Sequence, residues 1–169
     1  MGERSLDWMK QAEADYRHAR NSRSMGDCDW ACFAAHQAAE KAVKACFQKL
    51  HGDAWGHTVS LLLAQLSKEV AVRDRLIDRA KILDKHYIPT RYPNGFDAGA
   101  PTDLYTSDEA DNAIAIAGEI IESRRSWTCT SAARGPREPT RRPKLSHGPR
   151  PVRLHGEGSA GVALREEYA

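Results

Sequence analysis

The sequence predicts an all-α, up-and-down bundle of about five helices. Three observations carry that expectation. Apolar residues recur at three- and four-residue spacing through most of the first 124 residues, no stretch alternates as a strand would, and glycine and proline fall between the periodic segments. The chain has 169 residues, 41% hydrophobic and 28% charged, with a mean hydropathy of -0.62. That suits one domain with an appendage. No run of about 18 apolar residues occurs, so no membrane span is expected. The N-terminus "MGERSLDWMK" has no apolar core ahead of a cleavage site, and the expected location is the cytoplasm.

The first helix covers Glu3 to Met25, with Leu6, Met9, Ala12 or Glu13, Tyr16 and Ala19 or Arg20 as its stripe. Gly26 and Asp27 provide a stop and a new cap. The second runs from Asp29 to Leu50. Cys32, Ala35, Ala39, Val43, Cys46 and Leu50 share a face that Trp30, Phe33, Ala34, Ala38, Ala42 and Ala45 widen. So many alanines let a neighbouring helix come close. An apolar face on more than one side also predicts a homodimer, because a second side needs cover. Glu40 precedes Lys44 by four, the favourable order for an exposed pair, and Gly52 closes the helix.

A short apolar helix follows from His57 to Ser67, with Leu61, Leu62, Leu63 and Leu66. Another runs from Val72 to Tyr87 on Leu76, Ile77, Ala80 and Leu83. The last opens on Thr106 or Ser107 as cap, with Asp108 and Glu109 at the positive end of the dipole. It buries Ala113, Ile116, Ala117, Ile120 and Ile121.

Composition changes near Arg125. From there on the chain carries five of its eight prolines and a net charge of +5, against -3 for residues 1–124. The division is a helical bundle over 1–125 and a Pro/Arg-rich tail over 126–169. That tail has little to bury and is expected to be disordered, either a solvated extension or a basic arm for RNA.

Cys28, Cys32 and Cys46 sit beside Ala, Phe and Trp and read as small core residues. With Cys129 they form no second pair for zinc. Asp15 with His18, and His36 with Glu40, have the spacing of helical metal ligands, but the full pair of Glu-x-x-His motifs is absent. No metal or cofactor is expected, and a metal-binding bundle is the weakest alternative. No phosphate loop or dinucleotide fingerprint occurs.

One segment breaks the helical pattern, "LDKHYIPTRYPNGFDAG" from Leu83 to Gly99, where Pro89 and Pro93 remove backbone donors. It gathers His86, Tyr87, Arg91 and Tyr92. Arginine can clamp a phosphate with two parallel hydrogen bonds and tyrosine can stack on a base. Lys41 and Lys44 add charge if the second helix faces the segment, and His57 opens a helix where a phosphate can bind. The same residues also read as a structural corner, with Tyr87 and Tyr92 as core anchors and Arg91 paired to Glu40 or an Asp.

Taken together, Gln37, Glu40, Lys41 and Lys44 in the second helix, "GHTVSLLL" from Gly56 and "LDKHYIPTRYPNG" resemble a HEPN domain over roughly Leu6 to Arg124. The name abbreviates higher eukaryotes and prokaryotes nucleotide-binding. The resemblance implies an all-α bundle, commonly homodimeric. It often works beside a minimal nucleotidyltransferase in a toxin–antitoxin pair, and it binds a nucleotide, cuts RNA or serves as a partner. RNA-cutting members carry an Arg, four to six residues, then a His. Arg91 matches the Arg, but Phe96, Asp97 and Ala98 occupy the His positions. The implied function is therefore a non-catalytic nucleotide- or partner-binding module. The alternative is an endoribonuclease toxin in which Arg91 works with a rearranged base, His86 the first choice because imidazole moves protons near neutral pH.

Overall fold

The computed structural model describes residues 4–127. The expected disorder from Thr128 onward falls outside the described residues. Six helices form among them, and no strand. They are α1 (Ser5–Met25), α2 (Cys28–Lys49), α3 (Val59–Leu66), α4 (Asp74–Asp84), α5 (Pro101–Leu104) and α6 (Ser107–Ser123).

Helix α1 buries Ser5, Met9, Ala12, Ala19 and Ser22. Leu6, expected at the head of the stripe, is 80% exposed. Adjacent residues on a helix point about 100° apart, so a stripe set by Met9 and Ala12 takes Ser5 and turns Leu6 outward. Gly26 ends α1 at a φ of 91°, in the left-handed region that glycine enters without penalty. Its N–H reaches the Arg23 carbonyl, and the N–H of Asp27 reaches Ser22 at 2.9 Å.

Helix α2 is the axle of the bundle and is covered on nearly every side. Ala31, Ala34, Ala35, Ala38, Ala39, Ala42 and Ala45 are all buried within the one chain, against α1, α6 and the α3–α4 pair. The alanines of that widened face therefore find their cover inside the protomer, whereas Trp30, which shares it, is half exposed. At the C-terminus of α2 the positive φ, 57°, falls on His51 rather than on Gly52. Gly52 donates its N–H to the Phe47 carbonyl at 2.9 Å.

Helix α3 starts at Val59, two residues after the expected His57, because its cap comes from elsewhere. The Asp84 carboxylate at the end of α4 accepts the N–H of Val59 at 2.6 Å, the N–H of Ser60 at 3.2 Å and the Ser60 hydroxyl at 2.5 Å. That satisfies the start of α3 with a negative charge at its positive end. Helix α4 stops at Asp84 rather than Tyr87, and turns carry the chain through Lys85–Arg91. There Thr90 donates its hydroxyl to the His86 carbonyl at 2.6 Å. A 3₁₀ turn, Pro93–Gly95, and the single turn of α5 follow, each with a proline in its first positions.

Helix α6 opens on a capping box. Thr106 accepts the Glu109 N–H at 3.3 Å, and the Glu109 carboxylate accepts the Thr106 N–H at 2.9 Å. Ala110, Ala113, Ile116, Ala117 and Ile120 are buried, and Ile121 packs at the edge. Arg23 pairs with Asp111 and Arg124 with Glu13, so α1 and α6 run antiparallel. The core continues to Trp127, which is 6% exposed, two residues past the boundary that composition suggests.

Cys28 and Cys32 are buried and Cys46 half-buried, all as free thiols. Burial pushes Cys32 up to about 12 and Cys46 up to about 11, which makes them inert packing groups. No helix among the described residues is long and apolar enough to cross a membrane.

Candidate functional site

One stripe of α2 is polar although the helix is buried. Phe33, His36, Gln37, Glu40, Lys41 and Lys44 recur at three- and four-residue intervals; Phe33 and His36 meet Tyr87 after α4, Glu40 meets His57 in the α2–α3 loop, and Lys41 turns to Asp15 of α1. Glu40 is its centre. Its side chain is 5% exposed, and its carboxylate receives Lys44 at 2.8 Å and His57 Nδ1 at 3.2 and 3.3 Å. The Glu40–Lys44 pair, expected on an exposed face, is thus drawn inward, because the loop bearing His57 folds over it.

A carboxylate only accepts, so Nδ1 of His57 carries the hydrogen and donates it to Glu40. His57 is 57% exposed, and its Nε2 has no partner among the described residues. The ring stacks on Tyr87 with centroids 4.9 Å apart and planes 15° apart. His36 meets the same tyrosine at 5.0 Å and Phe33 meets it at 6.4 Å. His36 is fully buried, 4.0 Å from Glu40 through Nδ1 and 4.0 Å from Asp84 through Nε2. Burial holds it below the ordinary imidazole value, outweighing the two carboxylates that raise it, so His36 is neutral.

Arg91 completes the cluster. Its Nε and Nη2 donate to the Tyr87 carbonyl at 3.1 and 3.0 Å. The guanidinium lies 4.6 Å from the Phe33 ring centroid, 5.0 Å from Tyr87 and 5.2 Å from Tyr92. Two of its five N–H groups go to that carbonyl, and the other three have no partner among the described residues. No carboxylate pairs with it among the described residues, so the expected link to Glu40 or an Asp is not formed. Tyr87 is the anchor that reading foresaw, whereas Tyr92 is half exposed.

The structure thus brings Lys44, His57, Tyr87, Arg91 and Tyr92 together and leaves two other residues apart. Lys41 is tied to Asp15 and donates to Gln37 at 3.3 Å, so its charge is taken. His86 is buried among other neighbours, edge-on to Tyr105, whose hydroxyl lies 3.4 Å from Nδ1. Burial lowers its affinity for a proton. Among the described residues, no group of three or more His, Cys, Asp or Glu is placed to hold a metal.

Phe33 was not foreseen as a site residue, His36 was weighed only as a metal ligand with Glu40, and Asp84 was not foreseen. For the first two, the signal was a polar and aromatic stripe inside an otherwise alanine-rich helix. Asp84 had no sequence signal, because its role is to cap a helix that precedes it.

A family model described as the HEPN domain matches residues 5–127.

The chain belongs to the HEPN family.

This HEPN domain is similar to several solved structures. TT1696 from Thermus thermophilus is 45% identical, with a TM-score of 0.69, over 72% of this chain and 95% of that one. ST0689, an archaeal HEPN homologue, is 38% identical, with a TM-score of 0.62, over 74% of this chain and 97% of that one. A HEPN domain protein of Thermotoga maritima, TM0613, is 36% identical, with a TM-score of 0.57, over 69% of this chain and 92% of that one. No curated protein matches the chain.

Proposed function

We propose that this HEPN protein is a non-catalytic module that holds the phosphate of a nucleotide or RNA at Arg91. On this reading it works as the partner of a minimal nucleotidyltransferase in a toxin–antitoxin-like pair. The observation that carries the phosphate reading is the state of Arg91. It is fixed by the Tyr87 carbonyl and three rings, keeps open N–H groups and has no carboxylate partner among the described residues. A fixed guanidinium with free donors suits the planar, forked geometry of a phosphate. Tyr92, half exposed beside it, offers a ring for a base. Lys44 contributes less than its charge implies, because Glu40 offsets it.

The non-catalytic reading rests on the residues where a nuclease needs its imidazole. Phe96, Asp97 and Ala98 stand there, and His86 turns to Tyr105 instead. A thermal melt with millimolar ATP, GTP or a short RNA tests the site, since a ligand selective for the folded state raises the midpoint. At least one of these should stabilise the wild type, and Arg91→Ala should abolish the shift. An equal shift in both proteins would place binding elsewhere. RNA cleavage that disappears with Arg91→Ala would instead make the protein an endoribonuclease. The partner reading is tested by co-purification with a minimal nucleotidyltransferase encoded beside this gene, and the absence of any such neighbour would count against it.

A further inference from the structure

We propose that a second site, separate from Arg91, binds an aliphatic amphiphile with an anionic head, the chemistry of a medium-chain fatty acid. The site is a cleft of about 440 Å³ at the end of the bundle where α1 begins and where α2 and α6 end. No member of the Arg91 cluster lines it, so it stands whatever Arg91 holds.

The walls of the cleft are aliphatic. Met9 on α1 and Ala45 on α2 are buried there, with Cys46 half-buried beside them. Leu6 forms the outer wall and is 80% exposed, which gives a purpose to a leucine that the α1 stripe turns outward. An apolar body laid against Leu6 and Met9 would be drawn out of water. No aromatic ring lines the cleft, so nothing in it favours a stacked base.

The charge is of one sign. Lys49, Arg124 and Arg125 line the cleft and no carboxylate does. Arg124 is paired with Glu13 at 2.7 Å, whereas Lys49 and Arg125 are exposed and form no ion pair among the described residues. Lys49 and Arg124 both act electrostatically on the Cys46 thiol, so their field reaches the apolar wall. Two uncompensated cations over an aliphatic slot match one molecule with an anionic end and a hydrocarbon end. They also oppose a second copy of the chain, because two identical clefts pressed together about a two-fold axis would set like charges face to face.

Methyl NMR of the full chain, labelled at its methionine methyls, reads the cleft directly. Met9 lines it, and Met25, 77% exposed, lies about 24 Å away along α1 as an internal control. Decanoate, kept below its micelle concentration, should shift the Met9 signal saturably and leave Met25 unmoved. Octanoate should bind about tenfold more weakly, since each methylene taken out of water is worth up to about fourfold. Decyltrimethylammonium has the same chain and the opposite charge, and it should bind about tenfold more weakly than decanoate. Lys49→Glu combined with Arg125→Glu, both at exposed positions, should reverse that order. AMP should leave Met9 unmoved. The absence of a saturable Met9 shift, equal binding of the two heads, or a preference that survives the charge reversal overturns the proposal. A Met9 shift with AMP equal to that with decanoate does so too, and would make the cleft a nucleotide site.

Discussion

At His36 a fully buried imidazole sits between two carboxylates, and burial wins over both. His86 shifts in the same direction for the same reason. In the unfolded chain each takes up a proton near about pH 6.5. In the folded protein each does so only at lower pH. The unfolded state therefore binds more protons in that window, so stability rises with pH across it and is lost as pH falls below about 6.5. Urea unfolding at a series of pH values should show this slope, and His36→Gln should flatten it. A slope unchanged in that variant would mean that His36 does not carry the effect. The sequence marked His36 and Glu40 only as an i, i+4 pair. It could not say that the pair is inside, because the loop that covers it lies 17 residues further along at His57. Arg91 was readable as a cation on an irregular stretch. Of its three ring neighbours, Tyr87 and Tyr92 were readable on the same stretch, whereas Phe33 was not, since it comes from α2.

Among the elements, α1 and α6 pack closely at Gly118. A Cβ placed there would lie 2.7 Å from the Tyr16 hydroxyl and 3.4 Å from the ring carbon bearing it. Alanine is intrinsically better in a helix than glycine by about 0.8–1.0 kcal/mol. In a Tyr16→Phe background, Gly118→Ala should therefore stabilise the protein by about that much, measured by chemical denaturation. In the wild type the gain should be smaller, because the tyrosine must move. Equal gains in the two backgrounds would contradict the close approach. The five longer helices were legible from periodicity and punctuation, and the α6 cap was legible from Thr106 and Glu109. The ends of α3 and α4 were not. The start of α3 is set by Asp84, a contact between residues 24 and 25 positions apart, which no local propensity encodes, and α4 gives way to turns at Lys85. The turn of α5 and the 3₁₀ turn are too short to carry a periodic signal.

For the molecule as a whole, the boundary of the folded unit is a matter of one residue. Composition places the end of the bundle at Arg125, but Trp127 belongs to the core. Composition averages over a window and cannot see a single tryptophan folding back. Trp127→Ala in the full chain should cost about 3–5 kcal/mol, read as a melting midpoint lowered by roughly 10 °C or more. A change of a degree or two would place the end of the unit back at Arg125. Self-association is a separate question. With the alanines of α2 covered within the chain, a dimer would have to use what remains outside, such as Trp30, Leu61 and Ile88. Light scattering at micromolar protein should return twice the 18.8 kDa chain mass. A clean monomer would remove self-association from the account.

The antiparallel pairing of α1 with α6 brings the two ends of the bundle together. Ser5 and Leu6 line the same surface cleft as Arg124 and Arg125. The path of the chain is therefore nearly a closed ring, cut at one point. The exposed stretch Pro93–Gly95 lies far along that ring from the cut and contributes no buried residue. A circularly permuted gene, opened there and joined by a short linker between residues 127 and 4, would keep every helix and its neighbours. The order in which a ribosome delivers the helices is thus separable from the architecture they reach.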